Sequence, residues 1–182
     1  MVPNILKRIR QKYLLKGLRR NEHRREIKNI NEVNSIGIVF HIEDEIKWKY
    51  LYAIVLELER AGKRVFMIGD CHTELNYIIT HSHTTVCHDK EDFDMWGIPC
   101  GNAVDIFLER HYDILIDTTS GDSFFSKYID FKADTNLTIS YIDDESTGTN
   151  DNLFDMTIHG TGEVDLPSFF ENVCNYLQMI QK

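Results

Sequence analysis

Asp117-Thr118-Thr119-Ser120-Gly121-Asp122 is the most ligand-like string in this chain, because it sets small hydroxyls between two carboxylates directly after an apolar run. In that setting Asp117, Thr118 and Asp122 would line a small-molecule or metal pocket. The competing use of the same residue types is local: Asp122 or Ser123 caps the next helix and Asp117 bonds loop amides, the commoner work of Asp and Ser. A second string, Asp92-x-Asp94-x-Trp96-Gly97-x-Pro99, places two carboxylates beside an aromatic in a turn fixed by Gly97 and Pro99. Asp92, Asp94 and Trp96 could grip a sugar or a cation there. The alternative is that Trp96 fills an apolar slot while the two acids face solvent, which is the more frequent fate of a large aromatic.

Histidine and cysteine are dense between Cys71 and Cys100: Cys71, His72, His81, His83, Cys87, His88 and Cys100. Four such groups converging tetrahedrally would hold zinc, but no finger, ribbon or knuckle spacing is present, so no metal is expected. Without CxxC pairs the four cysteines read as reduced thiols of a cytoplasmic protein. Cys100, just before a helix, is either a mildly acidic thiol or a structural one. GxSxG is absent, and no Ser/His/Asp or Cys/His set stands out, so no catalytic residue is expected. The turn His41-Ile42-Glu43-Asp44 has no glycine and two acids, unlike a dinucleotide fingerprint, and GxxxxGK[ST] is missing. No cofactor is therefore expected. Gly160-x-Gly162 reads as ordinary loop geometry.

The elements that position these strings alternate. Strands are expected at Ser35–Phe40, Lys63–Ile68, Thr84–His88, Tyr112–Asp117, Leu137–Tyr141 and Phe154–His159. Helices are expected from a cap at Asp44 to about Ala61, at Asn102–Arg110, at Ser123–Ala133 and at Leu166–Gln181. Their apolar faces read as Ile46, Tyr50, Ile54, Leu51, Val55 and Leu58; Ala103, Val104, Ile106 and Phe107; and Phe169, Phe170, Val173, Tyr176, Leu177 and Ile180. Alternation of this kind implies a three-layer, Rossmann-like α/β fold, with a mainly parallel sheet of five to six strands and helices on both faces. The expected units are an arm over 1–28, a linker over 29–34 and one domain over 35–182.

The arm has the opposite charge to the rest. Residues 1–28 hold ten Lys/Arg against two acids, a surplus of eight positive charges, whereas the remainder holds 10 against 27, seventeen negative, within a net −9. As one helix over 4–26, it would put Val2, Ile5, Leu6, Ile9 and Tyr13 on one face and Leu14, Leu15 and Leu18 nearly opposite. Cations fill the gaps. A split apolar surface argues against lying on a membrane and for docking between two bodies, one of them its own domain or a second copy. The other would be anionic, an RNA or ribosome or a protein, met by Arg8, Lys12, Lys16, Arg19 and Arg20. A purely internal role, neutralising the acidic body, is the alternative. No apolar run approaches a membrane span, and the N-terminus does not read as a secretory signal.

The basic helix, SIGIVF, the helix ending in Gly62-Lys63, the Asp92–Pro99 string, YDILID (112–117) and the Phe154–Ile158 strand together resemble an uncharacterised family of short Rossmann-like bacterial proteins, a domain of unknown function. The resemblance implies a cytoplasmic α/β domain and no particular activity. YDILID is also similar to a strand of heptosyltransferase-like glycosyltransferases, whose second, nucleotide-sugar domain has no room here. The expected function is a non-catalytic binding or adaptor module held to an anionic partner by its basic helix. The alternative is a small-molecule-binding or glycosyltransferase-like protein with a pocket near Asp117.

Overall fold

The computed structural model describes residues 3–18, 27–41, 44–71, 83–88, 92–119, 123–144 and 154–180. In chain order the elements are α1 (Asn4–Gly17), β1 (Ser35–His41), α2 (Glu45–Arg60), β2 (Arg64–Cys71), β3 (Thr84–His88), α3 (Asn102–Leu108), β4 (His111–Tyr112), β5 (Ile114–Asp117), α4 (Phe124–Lys132), β6 (Asp134–Thr135), β7 (Thr138–Asp143), β8 (Met156–Gly160) and α5 (Leu166–Met179). Six strands form one sheet in the order β3-β2-β1-β5-β7-β8, and every neighbouring pair is parallel. β4 and β6 make a separate two-stranded pair. Counting the six strands of the main sheet along the chain, the order is 3-2-1-4-5-6, the doubly wound arrangement whose direction of winding reverses between the first and fourth strands. Here that point lies between β1 and β5.

The side-chain alternation of the central strands builds two cores. Ile36, Ile38 and Phe40 of β1, Val65 and Met67 of β2, and Ile114 and Ile116 of β5 pack under α2 and α5. Val39, Ile68, Cys87 and Leu115 face the other way, under α3 and α4 with Tyr112. Strands apolar on both sides are what a sheet covered on both faces demands. Asp44 starts α2 by accepting from the N–H groups of Ile46 and Lys47, each at 2.8 Å, a cap worth about 1 kcal/mol. Gly62 follows its end with φ of +81°, the left-handed conformation that favours glycine.

Some expectations shift. β2 runs on through Gly69 and Asp70 to Cys71, because it stays paired with β1 as far as His41↔Asp70. The 112–117 run is not one strand. Asp113 interrupts it between β4 and β5, turning its carboxylate back on the chain: Oδ1 accepts from Lys28 Nζ at 2.6 Å, and Oδ2 accepts from the N–H groups of Asn34 and Ser35 at 2.8 and 3.1 Å. Helix faces are narrower than the periodicity suggests. α2 buries Trp48, Leu51 and Val55 while Ile46 and Tyr50 are exposed, and Ile106 and Tyr176 likewise face out. A single sheet face accepts only one stripe of each helix.

The expected 4–26 helix stops at Gly17, where Leu18 turns to extended geometry; residues 19–26 lie outside the described residues. The 29–34 stretch is fastened to the domain. Val33 is fully buried, the Asn29 side-chain amide donates to the carbonyls of Gln178 and Ile180, and Lys63 Nζ donates to those of Ile30 and Val33 at 2.7 and 2.8 Å.

Candidate functional site

Two regions gather the residues that the sequence singles out. The first is the saddle that carries α1. Between β3 and α3 the chain folds into a tight loop held by Asp94, whose Oδ1 accepts from the N–H groups of Trp96 and Ile98 at 2.8 and 2.9 Å. Phe93 bridges to Pro99, and Gly97 sits at φ of +72°. Asp94 therefore works as the turn's internal brace. Asp92 lies beside it, its backbone carbonyl accepting from the Cys100 N–H at 2.8 Å.

α1 rests on this loop. The Gln11 side-chain amide donates to the carbonyls of Trp96 and Gly97 at 3.0 and 3.4 Å, and the Arg10 guanidinium lies 6.0 Å from the Trp96 ring centroid. Lys7, Gln11, Leu14, Leu15 and Leu18 are half-buried on the same side of the helix as this contact, and none of the α1 residues is fully buried. The arm and the Asp92–Pro99 string, two separate features of the sequence, thus form one structure. The signal that could have joined them is Gln11, the single uncharged polar side chain between Leu6 and Tyr13 on the inward face.

The outward side of α1 carries Ile5, Leu6, Ile9 and Tyr13, all exposed, and Arg8, Arg10, Lys12 and Lys16 are exposed around them. α1 contains no acid. Among the described residues, Lys7, Arg8, Arg10, Lys12 and Lys16 form no salt bridge. The arm is seated without spending its charge on the acidic body. Arg19 and Arg20 lie outside the described residues.

The second region is the carboxyl edge of the sheet beside the β1/β5 reversal. The N–H and hydroxyl of Thr118 both donate to the Val39 carbonyl, at 2.9 and 3.0 Å, and Asp117, fully buried, accepts from the Thr119 N–H at 2.7 Å. One strand away, His41 Nδ1 lies 2.8 Å from Oδ1 of the buried Asp70. This His–Asp pair is invisible as a motif, since 29 residues separate its members and strand register alone brings them together. A second pair, His159 and Asp144 at 2.8 Å, stands at the far end of the same edge. Asp122 lies outside the described residues; Ser123 does cap α4, accepting from the Ser126 N–H.

The His/Cys stretch contributes less. Among the described residues no three His, Cys, Asp or Glu side chains are grouped to hold a metal, and His72, His81 and the side chains of Cys71 and His88 lie outside them. Burial first, with Asp92, Asp70 and Cys100 adding to it, pushes the Cys87 thiol up to about 12. Cys100 is likewise raised, by burial first and then by Asp94, Asp92 and Asp105, the direction opposite to that of an acidic thiol. No described helix is long and apolar enough to cross a membrane.

The sheet and its winding define a doubly wound α/β protein with an added N-terminal helix. More particularly, the chain belongs to the family of unknown function DUF6913, whose model matches residues 7–180. No curated protein matches it in sequence. Among solved structures it is similar to the catalytic domain of starch synthase IV from Arabidopsis thaliana bound to ADP and acarbose, at 10% identity and a TM-score of 0.38 over 96% of this chain. The chain spans 36% of that structure's length, and a likeness at this score carries no argument about activity.

Proposed function

We propose that the protein is a non-catalytic cytoplasmic binding module, attached to an anionic partner through the outward face of α1. The units of this reading are the arm to residue 28, the joining stretch 29–34 and the domain 35–182. The observation that supports it is the unspent charge of a docked helix. Arg8, Lys12 and Lys16 point away from a strongly acidic chain and pair with none of its described carboxylates. Like-signed cations held side by side repel one another unless an anion answers them.

A polyanion column tests this. A chain of net −9 is retained on heparin only through a local basic surface. The parent should bind and be released by salt, and a variant with Arg8, Lys12 and Lys16 all changed to Gln should elute at clearly lower salt with its melting temperature unchanged. Equal elution of the two would remove the attachment reading. Co-sedimentation with ribosomes, at low and high salt, then asks whether RNA is the partner.

The strand order favours a second reading, a ligand crevice at the carboxyl edge, where doubly wound sheets bind their ligands. His41, Asp70, Asp117 and Thr118 would line it. Their acidity suits amines or sugars better than phosphates. In a thermal-shift panel of sugars, polyamines and nucleoside diphosphates, a member of the first two classes should raise the melting temperature of the parent and not that of Asp70→Asn. No shift with any of them would end this reading.

A further inference from the structure

We infer that the outward face of α1 is a docking surface for an anionic phospholipid bilayer, on which the helix lies flat. The inference rests on the attachment reading above and names its partner. Considered as a bare helix, the arm has two opposed apolar stripes, which suits no planar surface. The docked helix is different. Gln11 bonds the Trp96–Gly97 loop, and Leu14, Leu15 and Leu18 share its half-buried side, which leaves one stripe free: Ile5, Leu6, Ile9 and Tyr13 at 73, 49, 47 and 72% exposure.

At about 100° per residue these four span roughly a 100° sector. Lys12 and Arg8 border it on one side and Arg10 on the other, with Lys16 in line with Ile9 about two turns further along. An apolar stripe edged by Lys and Arg is the pattern of an interfacial helix, with long cationic side chains rising from its flanks to the headgroup level. Tyr13 suits that boundary, since one end of its ring is apolar and the other wet.

Two features favour lipid over other anions. RNA is bound through its phosphates, and burying three aliphatic side chains contributes little to that. A protein groove embraces several faces of a helix, whereas α1 has one long face free and a planar surface needs no more. Charge also sets the orientation: the acidic domain, seventeen negative charges beyond the arm, is repelled by the same surface that attracts α1.

The test is co-sedimentation of the full chain with vesicles of phosphatidylcholine alone, with vesicles of phosphatidylcholine and phosphatidylglycerol in equal parts, and, separately, binding to poly(U) RNA. The inference expects binding to the anionic vesicles alone. That binding should fall with added salt, by about fivefold for Lys12→Gln and about tenfold for Ile9→Asp. Both positions are exposed, so neither change should move the melting temperature, and circular dichroism checks this. Vesicle binding indifferent to Ile9→Asp would overturn the inference. So would poly(U) binding without vesicle binding, which would leave the attachment reading intact with RNA as its partner. Binding to neither overturns the lipid partner, and the heparin comparison then decides the attachment reading on its own.

Discussion

Gly69→Val lowers stability by about 3 kcal/mol, measured as the loss in urea-unfolding free energy relative to the parent. Gly69 of β2 stands opposite Phe40 of β1, and the Phe40 ring lies across the space where a side chain would begin. A Cβ at Gly69 collides with three atoms of that ring. The ring cannot retreat, since it is 1% exposed and packs on Trp48 with centroids 5.8 Å apart. The cost is therefore overpacking rather than backbone strain, because Gly69 is not among the residues with positive φ. Phe40→Leu combined with Gly69→Ala should recover part of what Gly69→Ala loses alone, since the two positions share one space. A Gly69→Val chain as stable as the parent would contradict the Phe40 placement.

Asp113→Ala is expected to cost about 3 kcal/mol, because it strips partners from two backbone N–H groups at the start of β1 and from the Lys28 ammonium. Asp113 itself is 7% exposed, so water replaces those bonds poorly. The pH dependence follows from the same contacts. Burial raises the carboxyl, but the Lys28 bond, the two N–H donors and the Lys28 charge outweigh it and hold the pKa below the ordinary 3.8. A carboxyl more acidic in the folded state than in the unfolded one adds stability above the unfolded value and loses it as pH falls through the folded one. The gap between parent and Asp113→Ala in urea unfolding should therefore be full at neutral pH and shrink below about pH 4. A gap that stays constant down to pH 2 would contradict the ionised role of Asp113.

The residues behind both effects show what could be read in advance. SIGIVF, KRVFMI and ILID are apolar on both strand faces, and that pattern dictates a covered parallel sheet whatever the loops do. Asp44 and Gly62 mark helix ends through local chemistry and stand where expected, and Ser123, one of two candidate caps, caps α4. What escaped depends on partners distant in sequence. Asp113 reads as one more residue of a strand until Lys28, Asn34 and Ser35 meet it. Trp96 reads as a ligand aromatic or a plug until Gln11, 85 residues away, and its neighbour Arg10 arrive and make its loop a saddle. His41 and Asp70 become a pair only through the register of β1 and β2. The arm shows the same limit. Its periodicity gave two opposed apolar faces, but which of them meets the domain is decided by tertiary packing, and that decision alters what the free face can bind.

The central claim is that α1 is seated by one face and presents the other. Hydroxyl-radical footprinting of the full chain, read by mass spectrometry, tests it with no substitution, using the exposed Tyr176 on α5 as reference. In solution Tyr13 should be modified at a rate comparable with Tyr176, while Leu14 and Leu15 are several-fold less reactive than free leucine. On adding phosphatidylglycerol-containing vesicles, Tyr13 alone of the two tyrosines should become protected. Protection of Leu14 and Leu15 without protection of Tyr13, or Leu14 and Leu15 as reactive in solution as free leucine, would contradict the account.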